Sequence, residues 1–99
     1  MTPRQRNEGL TALSEALARL ALAFPPSAGP SYGACRLSIV IAYETVENMR
    51  KGRQNGGLPS VKRSLDVVRD SFLTDVDFRN AFRYADLLLT ALLESEWQA

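Results

Sequence analysis

Apolar residues recur at steps of three and four along four segments of the chain, and this spacing constrains the fold more than any other feature. Such steps place their side chains on one face of a helix. The predicted core-facing residues are Leu10, Leu13, Leu17, Leu20 and Phe24; Cys35, Ile39, Ala42, Val46 and Met49; Val61, Leu65, Val68 and Phe72; and Phe78, Phe82, Ala85, Leu89 and Leu92. Helices of this kind bury their apolar faces by packing together, so we predict an all-α fold, a compact bundle of about four helices.

Capping residues, prolines and glycines indicate where the helices begin and end. Thr2 and Gln5 match a capping box at the first helix start, with Asn7 as a rival cap. Thr74 with Asp77 resembles an acidic variant of the same box before the last helix. The predicted helices span approximately residues 3–24, 34–51, 59–72 and 75–96 of a single helical domain, residues 1–99.

The second segment is ambiguous at its centre. Residues 37–43 are β-branched and nearly all apolar, which is also typical of a buried strand. The apolar pattern continues to Lys51 and the chain offers no second strand to pair with, so helix is favoured. A helix that is apolar on most of its circumference packs on two sides, and we therefore place the second helix at the centre of the bundle.

The chain has no histidine and one cysteine, and both facts narrow its chemistry. Histidine is the usual proton shuttle and the commonest metal ligand. Without it, the catalytic pairs of serine and cysteine hydrolases and a zinc site within one chain are unsupported. Asp66, Asp70, Asp75 and Asp77 are interpreted as ion-pairing and capping groups, with Mg²⁺-assisted catalysis as the alternative. We predict no enzyme activity, no metal and no cofactor.

Cys35 falls in register with Ile39 and Val46, and we interpret it as a small core residue. A reactive thiol with a lowered pKa near a helix start is the alternative.

A basic patch brackets the loop between the second and third helices. It could bind phosphates or an acidic protein surface, whereas a solvated helix end with ordinary loop charges is the favoured interpretation. No aromatic residue lies between positions 44 and 71 to stack on bases. The five residues of this patch are Arg50, Lys51, Arg53, Lys62 and Arg63.

The first and fourth helices carry more apolar residues than one buried face requires. We expect part of this surplus to contact another chain, and aromatic and arginine residues contribute most to such interfaces. The alternative is that the aromatic residues complete the core and the arginines face water. The predicted protein-binding residues are Arg79, Arg83, Tyr84, Leu87, Leu88 and Trp97.

Composition and targeting signals favour a cytoplasmic protein. The net charge of +1 gives no general attraction to nucleic acid or anionic lipid. Glu8, Glu15 and Arg19 interrupt the apolar stretch that a signal peptide needs, and no run reaches the ~20 apolar residues of a membrane span. In size and helix content the chain resembles small helical proteins that inhibit, mask or adapt a larger partner. We therefore predict a non-catalytic protein-binding regulator acting as a homodimer, with a small nucleic-acid-binding domain as the alternative.

Overall fold

Four helices, without a strand in the described part of the chain, form a bundle in which the second helix is central. The structure, a computed structural model, describes residues 2–24, 31–53, 57–69 and 76–98, and the side chains of 31, 32 and 96–98 are not described. The helices are α1 (Pro3–Leu22), α2 (Ser31–Arg50), α3 (Gly57–Arg69) and α4 (Val76–Gln98). Residues 37–43 lie inside α2, which excludes the strand interpretation.

The predicted capping box at the start of α1 is confirmed. The Gln5 backbone N–H donates to Thr2 Oγ1 at 3.1 Å, and the Thr2 backbone N–H donates to Gln5 Oε1 at 3.0 Å. Pro3 occupies the first helical position. A backbone N–H at this position would have no intrahelical acceptor, so the helix loses no hydrogen bond to proline. The rival start at Asn7 is wrong, because these bonds place the N-cap at Thr2, five residues earlier. At the other end α1 stops at Leu22, two residues before its predicted end.

The remaining helix ends differ from prediction by a few residues. α2 begins at Ser31, three residues before its predicted start. Gly33 therefore falls in the first turn, where the backbone N–H groups have no intrahelical acceptor in any helix. α3 begins at Gly57, whose positive φ of 68° a glycine adopts without strain, and Pro59 is tolerated within the first turn. Thr74 of the predicted fourth cap lies outside the described residues, whereas Asp77 lies in the first turn of α4.

The predicted apolar faces form the core, although Phe24 and Met49 are only partly buried against it and Phe72 lies outside the described residues. α2 packs against α1 and α3, α4 packs against α1, and α3 and α4 share the smallest contact. Cys35 is buried beside these faces, as its core interpretation predicts. The buried apolar residues are Leu10, Leu13, Ala16, Leu17, Leu20, Cys35, Ile39, Ala42, Val46, Leu58, Val61, Leu65, Val68, Phe78, Phe82, Ala85, Leu89 and Leu92.

Gly9 allows α1 and α4 to approach closely. A Cβ atom added at Gly9 would lie only 2.8 Å from Leu92 Cδ2. Glycine costs a helix interior about 1 kcal/mol relative to alanine, but here its missing side chain makes room for a buried leucine of the neighbouring helix.

A polar contact joins α1 to α2 at the edge of the core. The buried Ser14 hydroxyl donates a hydrogen bond of 2.5 Å to Glu47 Oε1, which also pairs with Arg50 Nη1 at 2.8 Å. The Ser14 hydrogen bond and the nearby Arg50 charge hold the pKa of Glu47 below its ordinary value, against the opposing effect of partial burial.

Candidate protein-binding surface

The predicted binding residues of α4 divide between its outer and inner sides. Tyr84 and Leu87 are 54% and 63% exposed, and Arg79 and Arg83 are also exposed. Leu88 is half-buried, because it packs against the core cluster. The side chain of Trp97 lies outside the described part of the structure. Four of the six predicted residues therefore stand on the outside of the bundle.

Tyr84 and Leu87 belong to a longer exposed stripe, which we call the α4 outer face. Its spacing of four, four, three and four keeps its residues on one side of the helix over about 22 Å. Val76, 63% exposed, was missed from the sequence, although it stands two helical turns before Tyr84 on the same side. The α4 outer face consists of Val76, Asn80, Tyr84, Leu87 and Ala91.

Beside this face lies a shallow cleft between α3 and α4, which we call the arginine cleft. It has a volume of about 340 Å³ and is lined by Arg69, Arg79, Phe82, Arg83 and Asp86. Arg69 Nη2 contacts Asp86 Oδ1 at 2.6 Å, and its guanidinium carbon lies 5.8 Å from the centre of the Phe82 ring. These contacts fix the Arg69 side chain of α3 against Phe82 and Asp86 of α4.

The arginine cleft presents positive charge. Its arginines outnumber its aspartate three to one, although Arg69 Nη2 also lies 3.4 Å from Asp66 Oδ1 and is thus paired with two carboxylates. Arg83 makes no ion pair with any residue that the structure describes. A guanidinium group offers five donors in a planar fork that matches a carboxylate. The cleft is therefore suited to an acidic side chain of another molecule.

The α4 outer face and the arginine cleft are continuous. Arg83 precedes Tyr84 directly and lies one helical turn from Leu87, so the cationic and apolar parts share an edge. The sequence spacing predicted that Arg79, Arg83, Tyr84 and Leu87 stand together. It did not predict Arg69, because that residue reaches the cleft only through the packing of α3 against α4.

The basic patch is partly neutralised by neighbouring carboxylates. Arg50 pairs with Glu47, and Lys62 Nζ lies 3.1 Å from Asp66 Oδ2. The other members, Lys51, Arg53 and Arg63, are exposed. These pairs agree with the interpretation of a solvated helix end, and nucleic-acid binding by this patch stays a prediction.

Asp66 has the ion-pairing role predicted for it, with Lys62 and Arg69 as its partners. Asp70 and Asp75 lie outside the described residues. Within the described ranges, no group of three or more acidic or cysteine side chains is arranged to hold a metal ion.

A second exposed apolar surface was missed from the sequence. On α2, Leu37 and Ile41 are 58% and 46% exposed, so the central helix is covered on its inner side and not on its outer side. The prediction that α2 is central and packs on two sides is confirmed, but this packing leaves Leu37 and Ile41 uncovered. Within the described residues α2 and α4 do not pack against each other.

The described helices include none with the length and apolar character that crossing a membrane requires. No family model, no curated protein and no solved structure matches the chain.

Proposed function

We propose that the chain is a non-catalytic, cytoplasmic regulator of the inhibitor, antiactivator or adaptor type, which binds a partner protein and acts as a homodimer. The observation that carries the proposal is the continuity of the α4 outer face with the arginine cleft. A partner with an apolar segment beside an acidic residue complements both parts.

The apolar half supplies the attraction for such a partner. Tyr84 and Leu87 expose more than half of their surface, and each Å² of apolar area removed from water contributes about 25 cal/mol. A tyrosine also loses little conformational freedom on binding, since only two torsions must be fixed.

The cationic half supplies selectivity. An arginine buried against a neutral surface loses its water without compensation, whereas a carboxylate replaces that water with a charge-assisted hydrogen bond. Arg83 has no intramolecular ion pair to break among the described residues, so it can engage a partner without a cost to the fold. The cleft therefore favours acidic partners over neutral ones.

The experiment compares the chain with two matched variants as bait in an extract of its native host. Leu87→Asp introduces a like charge into the acidic partner's contact, whereas Glu15→Gln alters the exposed face of α1 and serves as the control. We expect quantitative mass spectrometry to detect a protein that the wild type and the control capture and that Leu87→Asp does not.

The captured protein is then purified and titrated against the wild type, Leu87→Asp and Arg83→Gln. We expect each substitution to weaken binding by about tenfold or more, about 1.4 kcal/mol, with helix content unchanged by circular dichroism. Equal affinity of all three for the purified partner contradicts the assignment of this surface.

A further inference from the structure

The exposed surface of α2 has a charge order that complements itself. Leu37 and Ile41 form one exposed row, and the adjacent row on the helix runs through Arg36, Val40 and Glu44 at intervals of four. We call these five residues the α2 outer face. A positive charge stands at one end of the second row, a partly exposed valine at its centre and a negative charge at its other end.

Neither charge of this row is paired with another residue that the structure describes. Among the described residues, Arg36 and Glu44 form no ion pair, although both side chains are exposed. They stand eight residues apart, about 12 Å along the helix, which is too far for contact with each other. The apolar residues between them are likewise uncovered.

We infer that the α2 outer face binds the same face of a second copy, with the two α2 helices antiparallel. A twofold axis at Val40 brings Arg36 of one copy level with Glu44 of the other, and symmetry repeats the pair. The exposed Leu37 and Ile41 rows then meet between these two ion pairs.

The alternative orientation is disfavoured by the same charges. Parallel helices in register would place Arg36 against Arg36 and Glu44 against Glu44, and like charges brought together lower affinity. The opposite ends of the row therefore select the antiparallel arrangement, while the apolar centre provides buried area.

This inference rests on the homodimer part of the proposed function and adds the surface that forms it. It uses none of the residues of the α4 outer face, and α2 and α4 do not pack together in the described chain.

A charge exchange tests the pairing. The dissociation constant of the full chain is measured by sedimentation equilibrium for the wild type, Arg36→Glu, Glu44→Arg and the double variant. Each single reversal creates two like-charge contacts and is expected to raise the dissociation constant at least about tenfold, whereas the double variant restores dimerisation to near the wild-type value. Circular dichroism confirms that each protein is folded, and Leu37→Asp, which places a charge among the apolar contacts, serves as an independent disrupting variant.

The outcomes separate this inference from the proposed function. If the dimer tolerates both charge reversals and Leu37→Asp, the α2 surface is overturned and the homodimer forms elsewhere. The same conclusion follows if the double variant does not restore dimerisation. A wild type that is monomeric up to millimolar concentration overturns both the α2 surface and the homodimer, while binding of a purified partner by α4 is decided separately by Leu87→Asp.

Discussion

The outer faces of α2 and α4 expose similar apolar side chains but differ in the charges beside them. Leu37 and Ile41 on α2 are roughly as exposed as Tyr84 and Leu87 on α4. Apolar area alone would give both faces the same role, because the hydrophobic effect has no direction.

The neighbouring charges distinguish the two faces. Arg36 and Glu44 have opposite signs and equal distances from Val40, an order that fits a second copy of the same helix. Beside the α4 outer face, the arginine cleft holds three arginines and one aspartate, an excess of one sign that favours an acidic surface over a copy of itself. We therefore propose that the exposed apolar residues set where a contact forms, and that the charges around them select the partner.

The largest expected effect is a difference in stability between substitutions on the buried side of a helix and substitutions on its exposed side. Leu89 is 1% exposed and Leu87 is 63% exposed, only two residues apart on α4. We expect Leu89→Ala to lower the free energy of unfolding by about 2–5 kcal/mol, since it leaves a cavity in the core, and Leu87→Ala to change it by less than about 0.5 kcal/mol.

Urea denaturation followed by circular dichroism measures both effects. The pair Ile39→Ala and Ile41→Ala provides the corresponding control on α2, where 0% and 46% exposure predict the same ranking. Equal losses within either pair would mean that the outer residue supports the fold and is not available for binding.

The sequence predicted the buried sides of the helices better than their exposed sides. On α1 and α4 the apolar residues are interrupted by polar ones, and the periodicity identified the buried faces correctly. On α2 the spacing also identified Cys35, Ile39 and Ala42 as buried, but because nearly all of residues 37–43 are apolar it did not show that Leu37 and Ile41 would be left exposed. Which side of such a helix is covered depends on where its neighbours pack, a property of the whole bundle.

The arginine cleft was only partly predictable for a similar reason. Arg79 and Arg83 are one turn apart on α4, and local spacing places them together. Arg69 joins them through its contact with Asp86, which lies 17 residues away in the sequence. Interactions across that separation follow from helix packing, which the local pattern does not encode.

A smaller effect concerns the contact that ties α2 to α1. Ser14→Ala removes the hydrogen bond to Glu47, and we expect a loss of about 1–2 kcal/mol in the free energy of unfolding at pH 7. Because the folded-state pKa of Glu47 lies below its ordinary value of 4.5, the stabilisation is present above that pH and disappears as the pH falls through the folded-state pKa.

Urea titrations of the wild type and Ser14→Ala between pH 7 and pH 2 measure this dependence. The difference between the two proteins is expected to shrink as the pH is lowered below about 4.5. A difference that stays constant over this range would show that the lost hydrogen bond does not depend on the Glu47 charge.

The smallest effect tests whether the arginine cleft is needed for stability. The Arg69 side chain is 42% exposed, and exposed ion pairs contribute little. We expect Arg69→Gln to lower the free energy of unfolding by less than about 1 kcal/mol in urea denaturation. A larger loss would mean that the cleft mainly holds α3 against α4, and its role in binding would lose its support.

The division of roles between the two outer faces is tested most directly by sedimentation equilibrium of matched aspartate variants at micromolar concentration. We expect the wild type and Leu87→Asp to sediment as dimers of about twice 10.9 kDa, and Ile41→Asp to sediment as a monomer with its helix content intact. A folded, dimeric Ile41→Asp together with a monomeric Leu87→Asp would contradict the account, because it would place self-association on α4.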